Sequence, residues 1–331
     1  MEHLLYDCKT AATTRFFPQS PMLKYKFAHM EDVRIVARDG TELVAYLTRA
    51  DAQKATPLVL KVHGGPASRD VWGFDPEDQW LANRGYAVLR VNFRGSLGYG
   101  KSFVSVGFDR DQWGIGVMQH DLTDAVAWAI KEGVALEDKI CIFGHSYGGY
   151  ASFAGMSFTP GLYACGVSMS GLAVPPFEGE MNISPLHHVN KVRSPILIAH
   201  GEKDPRVKKE HSDLMAFSLQ KKELDVEYLS YAFEGHELGQ FDNRMDFHGR
   251  MEHFLARHLG GRAEAFWKPN RSTVSFPLSK STIPCSIIIP TNATKGQEVY
   301  YDLGPRGGHR RVRFVVPKGT EPGALIPECI V

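Results

Sequence analysis

The chain has 331 residues, 43% of them hydrophobic and 23% charged, enough for one large core and a smaller module. Its formal net charge of +1 argues against a general nucleic-acid or membrane-surface binder, since those need a field of one sign, and favours small neutral or mixed substrates. The five cysteines are odd in number and lack a CxxC pair, so neither a zinc site nor a disulfide framework is expected. The run MEHLLYDCKTAATTR has no apolar signal core, and no later stretch is apolar for the ~18 residues a bilayer span needs. A cytoplasmic protein with no membrane partner is the expectation, which makes the sequons at Asn182, Asn270 and Asn292 chance matches.

In chain order, residues 32–50 hold two β-rich runs around Asp39-Gly40, a hairpin signal. PLVLKVHGG (57–65) reads as a strand ending in a glycine turn. DPEDQWLANRGY (75–86) is predicted as a helix with Asp75 as its cap, Pro76 at its first position and Gly85 at its end. Strand AVLRVNFRG (87–95), a helix over 118–133, strand KICIFG and helix YASFAGMSF follow. Then come strands GVSMSG and PILIAHG, helix VKKEHSDLMAFSLQKK, strand VEYLSYAF and a last helix over 242–261. Continuous apolar strands alternating with helices call for an α/β fold, a mostly parallel sheet with helices on both faces. Cys141 and Cys165 sit in apolar strand-like runs and read as core thiols.

Residues 262–331 differ in character. They hold few helix formers, β-like runs at CSIIIP, QEVYYDL and RRVRFVVP, and ten Lys/Arg against five Asp/Glu. A small C-terminal β-rich module is expected there, joined by the linker WKPNRSTVSFPLSKST and serving as a solvated accessory unit. Strand alternation divides Arg310, Arg311 and Arg313 between faces, which weakens any reading of them as one acidic-partner patch.

The chemistry concentrates in KICIFGHSYGGYASF (139–153). Gly144-His145-Ser146-Tyr147-Gly148 is a G-x-S-x-G between a strand and a helix, the setting of a nucleophile elbow, so Ser146 is the candidate nucleophile. A serine hydroxyl needs a base and a group to orient that base. The chain order Ser, Asp, His selects Asp204, just past an apolar strand, and His236, in the loop after the next one. Asp204 also suits a helix cap. Developing oxyanion charge needs backbone donors, each typically worth about 2.7 to 4 kcal/mol. The Tyr147 amide at the helix start and Gly65 within HGGP are the candidates.

HGGP, VNFRGSLGYGKSF, HDLTDAVAW, DKICIFGHSYGGY, HGEKDPRV and EGHEL stand in an order and spacing that resembles the catalytic domain of the prolyl oligopeptidase family, closest in look to its acylaminoacyl-peptidase branch. The resemblance spans about residues 31–261. It implies an α/β-hydrolase fold and a serine peptidase acting on short or N-acylated peptides through an acyl-enzyme. It also implies the triad Ser146, Asp204 and His236, oxyanion donors at Gly65 and Tyr147, and no metal or organic cofactor. Arg206 is implied as a substrate-binding residue, with a salt bridge to a neighbouring acid as the alternative. Two departures qualify the resemblance. Only about 30 residues precede the hydrolase segment where the family carries a β-propeller, so residues 1–30 resemble a propeller tail and linker. The region between SMSGLAV and ISPLHHV is shorter than usual. An open-site carboxylesterase or thioesterase and a non-catalytic remnant acting through its C-terminal module are the alternatives. A homo-oligomer is left open.

Overall fold

Strand register, more than any single contact, decides which side chains meet in this chain. The structure, a computed structural model, describes residues 4–15, 24–176 and 180–265, with the short strands at 274–275, 298–302 and 311–315. Strands β1 (Leu4–Asp7) and β2 (Ala12–Arg15) pair as a separate antiparallel hairpin, which the sequence did not suggest. Strands β3 (His29–Val36) and β4 (Glu42–Arg49) form the expected hairpin, with Asp39 Oδ1 accepting from the Thr41 amide at its turn.

The main sheet has nine strands in the order β11-β10-β9-β8-β7-β5-β6-β4-β3. Its parallel centre comprises β5 (Thr56–Val62), β6 (Ala87–Val91), β7 (Ala135–His145), β8 (Cys165–Met169), β9 (Ile196–Gly201) and β10 (Val226–Tyr231). Antiparallel pairs close both edges, β4 against β6 on one side and β11 (Val274–Ser275) against β10 on the other. Two residues of the expected linker therefore extend the main sheet. A polar, proline-flanked run gave no sign of this, because an edge strand needs only its backbone. Strands β12 (Glu298–Asp302) and β13 (Arg311–Val315) pair antiparallel within QEVYYDL and RRVRFVVP. CSIIIP and the cluster's Arg310 lie outside the described residues.

Helices cover both faces, as strand–helix alternation requires. They are α1 (Pro76–Asn83), α2 (Lys101–Ser105), α3 (Val117–Lys131), α4 (Tyr147–Phe158), α5 (Glu210–Gln220) and α6 (Phe241–Leu259). The period-two alternation of the strands sorts the core into two layers. Leu58, Leu60, Ile140, Ile142, Ile196 and Ile198 pack with Leu122, Val126, Phe153, Met215 and Leu219 of α3, α4 and α5. Val59, Cys141, Phe143, Leu197 and Ala199 pack with Leu81, Phe247, Met251, Phe254 and Leu255 of α1 and α6. Each fully buried aliphatic side chain contributes roughly 1.5 to 3 kcal/mol to this arrangement. Cys141 and Cys165 are direct neighbours in the sheet and free thiols, and burial pushes the Cys141 thiol up. The result is a mixed α/β sheet with helices packed on it, consistent with an α/β-hydrolase-like core. Among the described residues no helix is long and apolar enough to cross a membrane.

Helix α1 starts as expected. Asp75 Oδ1 accepts from the Glu77 and Asp78 amides, and Pro76 occupies the first turn, where no amide is needed. The same helix resolves a conflict in the sheet. Register sets Lys61 of β5 directly beside Arg90 of β6, a like-charge pair that repels. Asp75, Glu77 and the fully buried Asp78 approach Lys61 Nζ at 3.2, 2.8 and 2.9 Å, and Asp78 also meets Arg90 Nε at 3.0 Å. Burial pushes the Asp78 carboxyl up to about 6 despite both cations. Glu77 is also penalised by burial, but Lys61 and His248 outweigh that and hold its carboxyl at about 2, below its ordinary 4.5.

A carboxyl depressed on folding adds stability that is present above its unfolded value and is lost as pH falls through its folded one. Urea denaturation of the wild type should therefore show a loss between pH 4.5 and 2 to which Glu77 contributes. Glu77→Gln should flatten that slope while lowering stability at pH 7; an unchanged slope would remove Glu77 from the account.

Candidate active site

Strand β7 turns into helix α4 through one residue. Ser146 holds φ 60° and ψ −117°, a left-handed conformation that costs a non-glycine residue of order 1–3 kcal/mol. Flanking glycines make the reversal sterically feasible. A Cβ on Gly144 would lie 2.4 Å from the Gly148 carbonyl carbon, and one on Gly148 would lie 2.1 Å from Val62 O. The Ser146 amide donates to Met169 O at 2.9 Å, tying the elbow to the end of β8. Ser146 itself is partly exposed, and Tyr147 opens α4 with its side chain buried and its amide among the unpaired donors of the first turn.

Two loops bring the other predicted residues together. Asp204 follows β9, His236 follows β10, and His236 Nδ1 lies 2.7 Å from Asp204 Oδ2. The other carboxylate oxygen accepts from the Arg206 amide at 2.8 Å and the Val207 amide at 2.9 Å. Asp204 thus holds its own turn and orients the imidazole at once; it does not cap helix α5, whose N-cap is Lys209 with no side-chain cap. Burial opposes its ionisation, but the Val207 amide, the His236 imidazole and the Arg206 amide outweigh it and hold the carboxyl below its ordinary value. An ionised carboxylate only accepts, so Nδ1 of His236 carries the proton and Nε2 is left free to take one. The Ser146 hydroxyl and His236 are not hydrogen-bonded to each other among the described residues; such bonds often tighten only with substrate in place.

The HGGP turn reaches the elbow from β5. A Cβ on Gly64 would lie 3.4 Å from the Ser146 Cβ and 3.1 Å from His145 O. Gly65 comes next, exposed, at φ 122°, where a Cβ would meet the Ala67 amide at 2.6 Å. The turn is braced by residues the sequence did not single out. His63 Nδ1 faces Gly64 O at 2.8 Å and Nε2 faces Ser96 Oγ at 2.8 Å. A carbonyl only accepts, so the ring donates from Nδ1, and burial pushes the His63 imidazole down, while Ser96 Oγ, beside Nε2, also donates to Phe93 O at 2.6 Å. His63 stacks on Phe93 at 4.5 Å, and Phe93 on Tyr147 at 5.3 Å.

The His236 loop is also held from behind. Buried Glu234 accepts from the Gly239 amide at 2.8 Å, the Gln240 amide at 3.0 Å and Asn243 Nδ2 at 2.6 Å. Arg206 has an exposed side chain whose guanidinium makes no ion pair among the described residues, leaving only its amide engaged with Asp204. Among the described residues, no group of three or more His, Cys, Asp or Glu side chains is placed to hold a metal ion.

The elbow, the carboxylate–imidazole pair and the glycine turn at one sheet edge agree with the comparisons to known proteins. The prolyl oligopeptidase family model matches residues 72–177 and 173–262, more than half of the chain. The chain belongs to the prolyl oligopeptidase family. It is 39% identical over 319 residues to dipeptidyl aminopeptidase BIII of Pseudoxanthomonas mexicana, covering 84% of this chain and 46% of that protein. It is 36% identical over 320 residues to dipeptidyl peptidase family member 6 of Caenorhabditis elegans, covering 88% and 41%. The fold resembles the Pyrococcus horikoshii acylaminoacyl peptidase with a TM-score of 0.69 at 22% identity, over 80% of this chain and 47% of that one. The chain thus spans less than half the length of these prolyl oligopeptidase relatives.

A Cβ on Gly201, at the end of β9, would lie 2.1 Å from Gly235 O, next to His236. Gly201→Ala should therefore push the two loops apart and lower stability by about 1–3 kcal/mol. Urea denaturation measures the cost; a wild-type midpoint would mean that the close approach is unimportant.

Proposed function

We propose that the chain is a serine-type peptidase that cleaves peptide bonds of short or N-acylated peptides through an acyl-enzyme. The observation that supports this best is the 2.7 Å Asp204–His236 hydrogen bond beside a strained G-x-S-x-G elbow. In the proposed mechanism His236 Nε2 takes the Ser146 proton as Oγ attacks the carbonyl carbon. The Gly65 and Tyr147 amides stabilise the tetrahedral oxyanion. His236 then returns the proton to the leaving amine as the C–N bond breaks, and water hydrolyses the acyl-serine with the same residues in the same roles. Identities of 39% and 36% to proteins named as dipeptidyl peptidases favour release of dipeptides as a second substrate reading.

The domain division belongs to the same proposal: residues 31–261 as the α/β-hydrolase core, residues 262–331 as a linker and accessory β-rich module, and residues 1–30 as a propeller-tail-like segment and linker. Antiparallel pairing of β12 and β13 supports β character in the second of these. Arg206 is proposed to bind a substrate carbonyl or carboxylate, supported by its exposed side chain two residues from Asp204. Arg206→Ala should then raise KM severalfold with little change in kcat; an unchanged KM would dismiss it.

A fluorophosphonate probe should label the wild type and not Ser146→Ala, and equal labelling of both would reject Ser146 as nucleophile. Asp204→Asn should lower kcat on the order of 10⁴-fold, because an amide at this position stabilises the wrong tautomer of His236. Dipeptidyl anilides, acyl-aminoacyl anilides and p-nitrophenyl esters compared side by side give the substrate class. Turnover of esters alone would overturn the peptidase reading in favour of an esterase.

A further inference from the structure

The loop carrying His236 has little packing of its own near the imidazole. Gly235 precedes it with nothing within 4 Å of where its Cβ would lie, and at Gly239 the nearest atom is Glu234 Oε2 at 3.6 Å. Buried Leu238 and the Glu234 carboxylate hold the far side of the loop. Asp204 holds only the ring. Just upstream, the Lys203 amide donates to Glu234 O at 2.8 Å and Gly201 lies close against Gly235 O. At His236 itself the backbone is held through its carbonyl, which accepts from two side chains at the ends of neighbouring strands. His145 Nε2 approaches it at 2.6 Å and Ser170 Oγ at 3.2 Å. The His145 ring also lies against the His236 ring, centroids 4.6 Å apart at 49°.

We propose that His145 is a positioning residue, which with the Ser170 hydroxyl grips the His236 carbonyl and locks the imidazole to the elbow that presents Ser146. This inference rests on the triad reading above. His145 immediately precedes Ser146, so one peptide unit links the residue that holds the base to the residue the base must reach. A carbonyl only accepts, so Nε2 of His145 carries a proton whether the ring is neutral or charged, and the grip is permanent. Burial pushes the His145 imidazole down, which keeps a second cation away from His236 when the latter takes up its proton. Ser170 is specially placed for its share. It adopts φ 48° at the end of β8, donates its amide to Ala199 O at 2.9 Å and is fully buried.

A misplacement of about 1 Å at a reacting group costs on the order of 10²-fold in rate. His145→Leu should therefore slow fluorophosphonate labelling and kcat by roughly tenfold to a hundredfold with KM within about twofold of wild type. His145→Gln, which offers an amide N–H at similar reach, should recover most of that loss. Its isostere His145→Glu, which sets an acceptor against the carbonyl, should not. Ser170→Ala should cost less than His145→Leu. Wild-type rates in both His145→Leu and His145→Glu, or a His145→Gln as slow as His145→Leu, would overturn the inference. The Gln and Glu pair keeps the comparison decisive where the Leu variant fails to fold. A wild type whose labelling is unaffected by Ser146→Ala would instead overturn the triad reading, and this inference with it.

Discussion

The site depends on one close approach, the passage of α4 across the end of β5 at Gly148. Its Cα sits where a methyl would be only 2.1 Å from the Val62 carbonyl, so no side chain fits. The contact recurs one step on, where a Cβ on Gly149 would lie 2.7 Å from the Gly171 Cα and the Ser168 hydroxyl donates to Gly149 O at 3.0 Å. Helix α4 is thereby seated on the ends of β5 and β8 together, with its first amide beside the HGGP turn. Any side chain at these glycines would lift the helix and carry the Tyr147 amide away. The left-handed strain at Ser146 is the cost of that seating, offset by the buried packing of α4 beneath it.

Parallel register does the remaining assembly. His145 pairs with Met169, Met169 with Ala199, and Gly201 with Tyr231, so four successive strands end at nearly the same level. The residues that follow those ends, Ser146, Ser170, Asp204 and His236, consequently share one edge of the sheet although they are far apart in the chain. Carboxyl ends of parallel strands are where open α/β sheets gather their ligands, because backbone and helix starts are exposed there. The hydrogen bonds around His236 then convert shared level into fixed orientation.

Much of this was legible in the sequence because it depends on local pattern. Apolar runs alternating with helical segments gave the layers, Asp75-Pro76 gave the start of α1, and G-x-S-x-G with the order Ser, Asp, His picked out the elbow and the Asp204–His236 pair. Contacts created by register were not legible. Lys61 and Arg90 look like ordinary surface charges until the pairing of β5 with β6 sets them side by side over the acids of α1. His145 and Ser170 stand inside or beside recognised motifs, yet nothing in their spacing reveals that both reach the same carbonyl. The β11 strand escaped because backbone pairing at a sheet edge makes almost no demand on side-chain pattern. The short helix α2 escaped because it buries no residue and its glycine start offers no side-chain cap.

The charge network under α1 and the glycine turn above it are not independent. Arg90, held by Asp78, also donates from Nη2 to Val71 O at 3.0 Å. Just past the end of β6, Asn92 exchanges hydrogen bonds with the Asp70 backbone, accepting from its amide at 2.8 Å and donating to its carbonyl at 3.2 Å. The segment that runs from the HGGP turn to α1 is therefore pinned by polar side chains rising from the end of β6. A backbone donor stabilises a developing oxyanion only if it need not reorganise when the charge appears. Burying charged and amide side chains beneath a glycine turn is energetically expensive, and only a full set of partners makes it tolerable. That requirement explains why three acids, Asp75, Glu77 and Asp78, crowd the start of a single short helix: they neutralise the cations, one of which, Arg90, keeps the turn's continuation rigid.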